Sequence, residues 1–214
     1  MLEHKSVSIA EQVFEKLERD ILSGKYERGY VMTENHLSEM LGVSRTPIRE
    51  ALRRLAQERI IELGTKGAVV VGISREDIDM IYELRLRIEG IAARLAAENV
   101  DGENAAKLKE ILDLQEFYTE KNNADSIKNE DSDFHRLIYK LSGSLPLEET
   151  LTNLHKKVVK YRRASVSNCS RADRSLKEHR AILEAIVAHD GERAEALTLE
   201  HIRNARESIK NREI

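Results

Sequence analysis

Four side chains in the second half of the chain have the types and the spacing to hold a cation. Asp131 precedes His135 by four residues, so on a helix the carboxylate and the imidazole stack one turn apart on one face. His179 shares a helical face with Leu176, Leu183 and Ile186, and His201 shares one with Ala194, Leu197, Ala205 and Ile209. Each of these histidines stands where leucine would be expected. A single buried imidazole is ordinarily a hydrogen-bonded core residue. Three of them on the inward faces of three helices, together with an aspartate, are different, because a lone buried carboxylate is costly. One divalent cation would satisfy all four groups. Asp133 competes with Asp131, but on a helix it points about 160° away from His135. His155, beside Leu151 and Val158, and His189 stay outside the set. His189 precedes Asp190-Gly191 at a helix end, where it can cap carbonyls. An N/O site of this kind accepts zinc, nickel, manganese or iron, with zinc or nickel expected first.

A second misplaced charge is Arg85. Ile78, Ile81, Ile88, Ala92 and Leu95 form the inner stripe of a predicted helix, and Arg85 lies in that register. Either it pairs with Glu89 one turn on, or its fork clamps the carboxylate of a bound acid.

A third constellation lies near the N-terminus, in the stretch TENHLSEMLGVSRTPIREALRRL from Thr33 to Leu55. Thr33 can cap a short helix on which Leu37, Met40 and Leu41 fall on one face. Gly42 can take the left-handed conformation that ends it, with Val43 behind the turn. Ser44 or Thr46 can cap a second helix, and Pro47 sits in its first turn, where a missing N–H costs little. Ile48, Leu52 and Leu55 face inward, which leaves Arg45, Arg49, Arg53 and Arg54 to point elsewhere. This is a helix-turn-helix, a motif whose second helix enters the DNA major groove with its N-terminal turn nearest the bases. Arg45 and Arg49 share a face there, and an arginine fork can bridge O6 and N7 of guanine. The bland alternative is an amphipathic helix with a solvated basic face. The cap, the turn glycine and the first-turn proline agree against it.

The elements that must position these groups are legible on either side. Ile9, Val13, Leu17 and Ile21, with Phe14 beside them, predict a helix from Ser8 to Ser23 that packs under the helix-turn-helix. Ile60-Ile61 and Ala68 to Val71, separated by Gly64-Thr65-Lys66-Gly67, predict a hairpin wing. Lys66 at its tip can reach a phosphate or the minor groove, or is a solvated turn residue. Gly72-Ile73-Ser74 marks a boundary. Beyond it the pattern is helical throughout, with helices predicted near 75–99, 102–121, 124–142, 146–166, 172–189 and 191–211. Six helices in that length make a bundle.

Composition sets limits. The 214 residues suffice for two modest domains, and 34% charged with 4% aromatic residues suits a mostly helical soluble protein. The net charge of −3 leaves any nucleic-acid site to a local basic patch. One cysteine, Cys169, excludes an internal disulfide framework and fits a reducing compartment. No apolar run has the length of a membrane span, and the N-terminus lacks the apolar core of a signal peptide.

GVSRTPIREALRRL resembles the signature of the GntR family of bacterial transcription regulators, over about Ile9 to Val71. The resemblance implies a winged helix-turn-helix that binds double-stranded operator DNA as a homodimer, with Thr33, Ser44, Arg45, Thr46, Arg49 and Lys66 as candidate contacts. Two departures are visible: Arg28-Gly29 where Pro-Gly is common, and Asn35 where many members have arginine. EDSDFHRLI, EHRAILEAIVAHD and ALTLEHI resemble the FCD ligand-binding domain of the FadR-like branch, over about Arg75 to Arg206, and the six-helix count resembles its VanR-like type. Many FCD domains hold a metal through one aspartate and three histidines, which fall here on Asp131, His135, His179 and His201. FadR itself lacks this set, so the resemblance points away from acyl-CoA. An arginine of the ELRLRIE segment commonly faces the effector in such proteins, which favours Arg85, joined by Tyr161 and Arg162 from a facing helix.

The expectation is a mostly α protein, with a winged helix-turn-helix DNA-binding domain over 1–72 and an all-helical metal- and effector-binding domain over 75–214. It acts as a cytoplasmic bacterial repressor controlled by a small carboxylate metabolite, with no membrane partner. Two alternatives stand beside it. One is a regulator for which the ion itself is the signal. The other is a metal-dependent hydrolase, for which no general base is visible.

Overall fold

The computed structural model describes residues 8–165 and 171–210, with side chains described for 8–161 and 171–209. These residues fall into two compact units that divide at Ser74/Arg75, the first also taking residues 160–165.

The first unit is built from α1 (Ile9–Leu22), β1 (Val31–Met32), α2 (Glu34–Leu41), α3 (Arg45–Gln57), β2 (Ile61–Gly64) and β3 (Gly67–Val70). The start of α1 is set by Ser8, whose side chain accepts from the Glu11 N–H at 3.1 Å. Thr33 caps α2 in the same way through the His36 N–H at 3.3 Å. Gly42 ends α2 at φ +66°, and its N–H returns to the Ser38 carbonyl. Ser44 is the N-cap of α3, although its hydroxyl makes no cap bond. Val13, Phe14, Leu17 and Ile21 of α1 share one core with Leu37, Ile48, Leu52, Leu55, Ile61, Ala68 and Val70.

The predicted wing is a three-stranded sheet in the order β1-β3-β2, all antiparallel. Strand β1 is an addition to the sequence reading. Its two residues pair Val31 with Val69 and Met32 with Ala68, and two residues are too few to show a period-two pattern. Its presence explains Gly67. That residue sits at φ +139°, and a Cβ there would stand 2.5 Å from the Met32 carbonyl oxygen.

The second unit holds α4 (Arg75–Asn99), α5 (Gly102–Glu120), α6 (Ala124–Leu141), most of α7 (Leu145–Ser165), α8 (Ala172–Val187) and α9 (Gly191–Lys210). Asp101 caps α5 through the Asn104 N–H at 2.7 Å, and Asn123 caps α6 through the Ser126 N–H at 3.2 Å. The predicted helices agree with these bounds to within a residue or two. Small residues set the tight crossings: Ala93, Ala96 and Ala97 of α4 pack in one core with Leu108, Leu112, Phe134, Ile138, Ile182, Ala185, Ile186 and Ala194. A Cβ on Gly90 would come within 2.9 Å of Glu195 on α9, so bare backbone is what lets α4 and α9 approach. Among the described residues no helix is long and apolar enough to cross a membrane.

Candidate functional site

Inside this bundle the core turns polar. Helix α6 carries Asp131 and, one turn later, His135; α8 carries His179 and α9 carries His201. The three histidines are 3%, 0% and 4% exposed, so each is committed to the interior. Their ring centres are 5.1 Å apart for His135–His179, 5.2 Å for His135–His201 and 4.7 Å for His179–His201. One nitrogen from each lies within 4.8 Å of those of the other two. Asp131 joins them, its Oδ1 3.8 Å from His179 Nε2. Asp133 faces outward and pairs with Arg136.

Each ring is fixed from behind by an acceptor on another helix. His135 Nδ1 lies 3.1 Å from Glu89 Oε1 on α4, and His179 Nδ1 lies 3.1 Å from Gln115 Oε1 on α5. His201 Nδ1 lies 2.7 Å from Glu178 Oε2 on α8. An acceptor at Nδ1 selects the tautomer with its proton there, which leaves Nε2 as a lone pair. Burial holds His179 and His201 well below the usual histidine range. The crowding of the rings, and Arg171 beside His201, disfavour a proton further and Asp131 opposes this, so both rings are neutral. Buried imidazoles anchored at Nδ1 and clustered beside a carboxylate suit a divalent cation.

Arg85 is buried on α4 and bonds Glu89 twice, through Nε to Oε2 at 2.7 Å and Nη2 to Oε1 at 3.1 Å. The Tyr139 hydroxyl donates to the same Glu89 Oε1 at 2.8 Å. Burial alone would raise the Glu89 pKa, but Arg85 and His135 hold it well below the carboxylate range. The pair foreseen as one of two readings of Arg85 is therefore formed, and an incoming acid would share that guanidinium with Glu89. Tyr161 is half-buried and falls with the first unit, six residues and roughly 9 Å of helix beyond His155. The side chain of Arg162 lies outside the described residues, as does Cys169.

Sequence reasoning missed the anchoring residues. Gln115 carries the only polar side chain on the stripe Leu108, Leu112, Gln115, and that was a usable signal. Glu178 adjoins His179 in sequence and gave none. His155 lies closer to the cluster than expected, its ring centre 4.9 Å from that of His135. Burial pushes its pKa well down. His189 does what a helix-end histidine can do: its Nδ1 lies 2.7 Å from the Ala97 carbonyl.

In the first unit Arg45, Thr46, Arg49 and Arg53 are exposed on α3, and Lys66 is exposed in the β2–β3 turn. Arg49 is engaged by Glu34 of α2, through Nε at 2.9 Å and Nη2 at 2.8 Å. Arg54 belongs to packing, over the Phe14 ring at 4.0 Å and bonded to Glu11. Thr33 is occupied as a cap.

The profile of the gntR family of bacterial regulatory proteins matches residues 9–71, and the FCD domain profile matches residues 80–204. The chain is 31% identical over 151 residues to the transcriptional regulator McbR of Escherichia coli K12, covering 70% of this chain and 68% of that protein. It is 40% identical over 124 residues to the gluconate operon transcriptional repressor of Bacillus licheniformis, a stretch covering 58% of this chain and about half (51%) of that repressor. The solved structure of E. coli McbR superposes with a TM-score of 0.72 at 25% identity, over 98% of this chain and 100% of that one. The hydrolase alternative is overturned by these matches, all to regulators. The chain belongs to the gntR family of bacterial regulatory proteins, as a DNA-binding transcription regulator carrying an FCD domain.

Proposed function

We propose that this regulator is a repressor whose operator binding is controlled by a small organic acid, bound at a divalent metal held by Asp131, His135, His179 and His201. The observation that carries the reading is the anchoring of all three rings. Glu89, Gln115 and Glu178 each take one Nδ1, and one nitrogen of each ring lies within 4.8 Å of those of the other two. The donor set fits zinc, nickel, manganese or iron. Such an ion supplies a buried positive charge that attracts a carboxylate. Arg85 lies beside it through Glu89, and an acid that draws on its guanidinium perturbs α4, the first helix after the 1–72 DNA-binding domain. An effector shifts DNA binding only if it binds two states of the protein unequally. The repressor sense follows relatives such as the gluconate operon repressor of B. licheniformis. DNA contact is assigned to Thr33, Ser44, Arg45, Thr46, Arg49 and Lys66, with Arg49 held by Glu34. The protein works in the cytoplasm as a homodimer, since one reading head per chain suits a two-fold operator.

Elemental analysis of protein purified without chelators tests the metal. Wild type should carry about one ion per chain and His179→Ala much less. Wild type that holds none and takes none up returns the four residues to a hydrogen-bonded polar core. Operator binding by metal-loaded protein, titrated with metabolite acids and then with metal alone, separates acid control from the second reading, control by the ion.

A further inference from the structure

We propose that His155 selects the ligand of this site and selects it for a hydroxyl: the acid is a hydroxycarboxylic acid whose hydroxyl donates to His155 Nδ1. This rests on the metal-and-acid reading above. His155 stands on α7, 5% exposed, its ring centre 4.9 Å from that of His135 and 6.3 Å from that of Tyr139.

The proton inventory around the ring decides what it can bind. The Ser132 hydroxyl has one proton, and the Lys128 carbonyl one turn back takes it at 2.9 Å. What remains for His155 Nε2, 3.4 Å from Ser132 Oγ, is an oxygen lone pair, so Nε2 carries the ring proton. Nδ1 is then a bare acceptor. It is fully buried and has no hydrogen-bond partner among the described residues. Three nearby donors are committed elsewhere: the Tyr139 hydroxyl and the Arg85 Nε and Nη2 all go to Glu89. Buried acceptors in native proteins are satisfied in the great majority of cases, so the missing donor comes from what the site binds.

Chemistry narrows that donor. A carboxylate has no proton to give and would set its lone pairs against that of Nδ1. An ammonium has protons but brings a further positive charge beside the metal and Arg85. A hydroxyl donates without charge. The ligand therefore carries a carboxylate for the cationic side of the site and a hydroxyl for His155.

The test is calorimetric titration of zinc-loaded full-length protein with acids matched in size: lactate, propionate and alanine, then malate and succinate. Wild type should bind each hydroxy acid at least tenfold more tightly than its deoxy or amino counterpart. A metal can itself prefer a hydroxy acid, so the variants decide. His155→Phe should keep its zinc and lose most of the hydroxyl preference. His155→Asn, whose Oδ1 offers an acceptor near the place of Nδ1, should keep much of it and guards against misfolding in the Phe variant. An unchanged preference in His155→Phe, zinc lost from a folded His155→Phe, or a preference for the amino acid would each overturn the assignment. Wild type that takes up zinc and binds acids without regard to the hydroxyl refutes this inference alone. Wild type that takes up no metal refutes the proposed function and this inference with it.

Discussion

His179 is the most enclosed of the four candidate ligands, with Gln115 at one nitrogen, Asp131 and Ser175 near the other, and the Phe134 ring 4.6 Å away. Removing it takes away a donor and opens a gap that the helices close poorly. His179→Ala should therefore lose metal and stability together, whereas Gln115→Ala, which leaves the ligand in place, should weaken metal affinity about 10–100-fold. Metal-competition titration of the two variants checks the order. The same logic of committed partners applies at the DNA-facing helix. Arg49→Ala should cost roughly 1–3 kcal/mol on the operator if its fork meets a base. Glu34→Gln removes the carboxylate that engages that fork and frees a cation. The slope of log K against log salt should then steepen by about one, as it does for an added phosphate contact. An unchanged slope in Glu34→Gln would mean that DNA displaces Glu34 from Arg49 in any case.

The elements show why some features were readable and others were not. Helices α4 to α9 announce themselves through 3.6-residue periodicity and through side-chain caps such as Asp101 and Asn123, which act within four residues of chain. Strand β1 has neither signal, because only its pairing with β3 makes it a strand. Gly67 is the residue that pairing constrains. Gly67→Ala meets both a left-handed backbone and the Met32 carbonyl, and it should destabilise the first unit by at least ~2 kcal/mol. Denaturant melts of the full chain should show that loss as an early transition, with metal uptake by the second unit unaffected. Gly24→Ala also meets a positive φ, +78°, but nothing lies within 4 Å of the new Cβ, so it should cost less.

At the scale of the molecule, the buried neutral rings of His155, His179 and His201 tie stability to pH. Their folded pKa values lie well below the ordinary value, so the unfolded chain binds protons that the folded chain does not. Stability is then fully present above about pH 6.5 and falls as pH drops below it, by about 1.4 kcal/mol per unit for each histidine. Thermal melts of chelator-treated protein between pH 7.5 and 5.5 should show the decline, and saturating zinc should raise the melting temperature at pH 7.5. A flat profile would mean that the rings are protonated in place. Sedimentation should give a dimer and footprinting a palindromic site, whereas one asymmetric half-site per monomer would count against two-fold binding.

The chain's own order of residues determined the helix-turn-helix, the hairpin, the six later helices and the inward register of Asp131, His135, His179 and His201. All of these follow from local periodicity, caps and turns. It also placed Arg85 in the core while leaving its partner open. Tertiary structure decided the rest: that Glu89 rather than solvent meets Arg85, and that Gln115, Glu89 and Glu178 hold the rings from behind. It also decided that His155 stands within 4.9 Å of His135, and that Glu34 takes the fork of Arg49. Periodicity says which way a side chain faces, but a hydrogen bond depends on which atom of another helix comes to meet it. For residues 64 or 23 apart, as in His179–Gln115 and His201–Glu178, only the packing of the bundle sets that meeting.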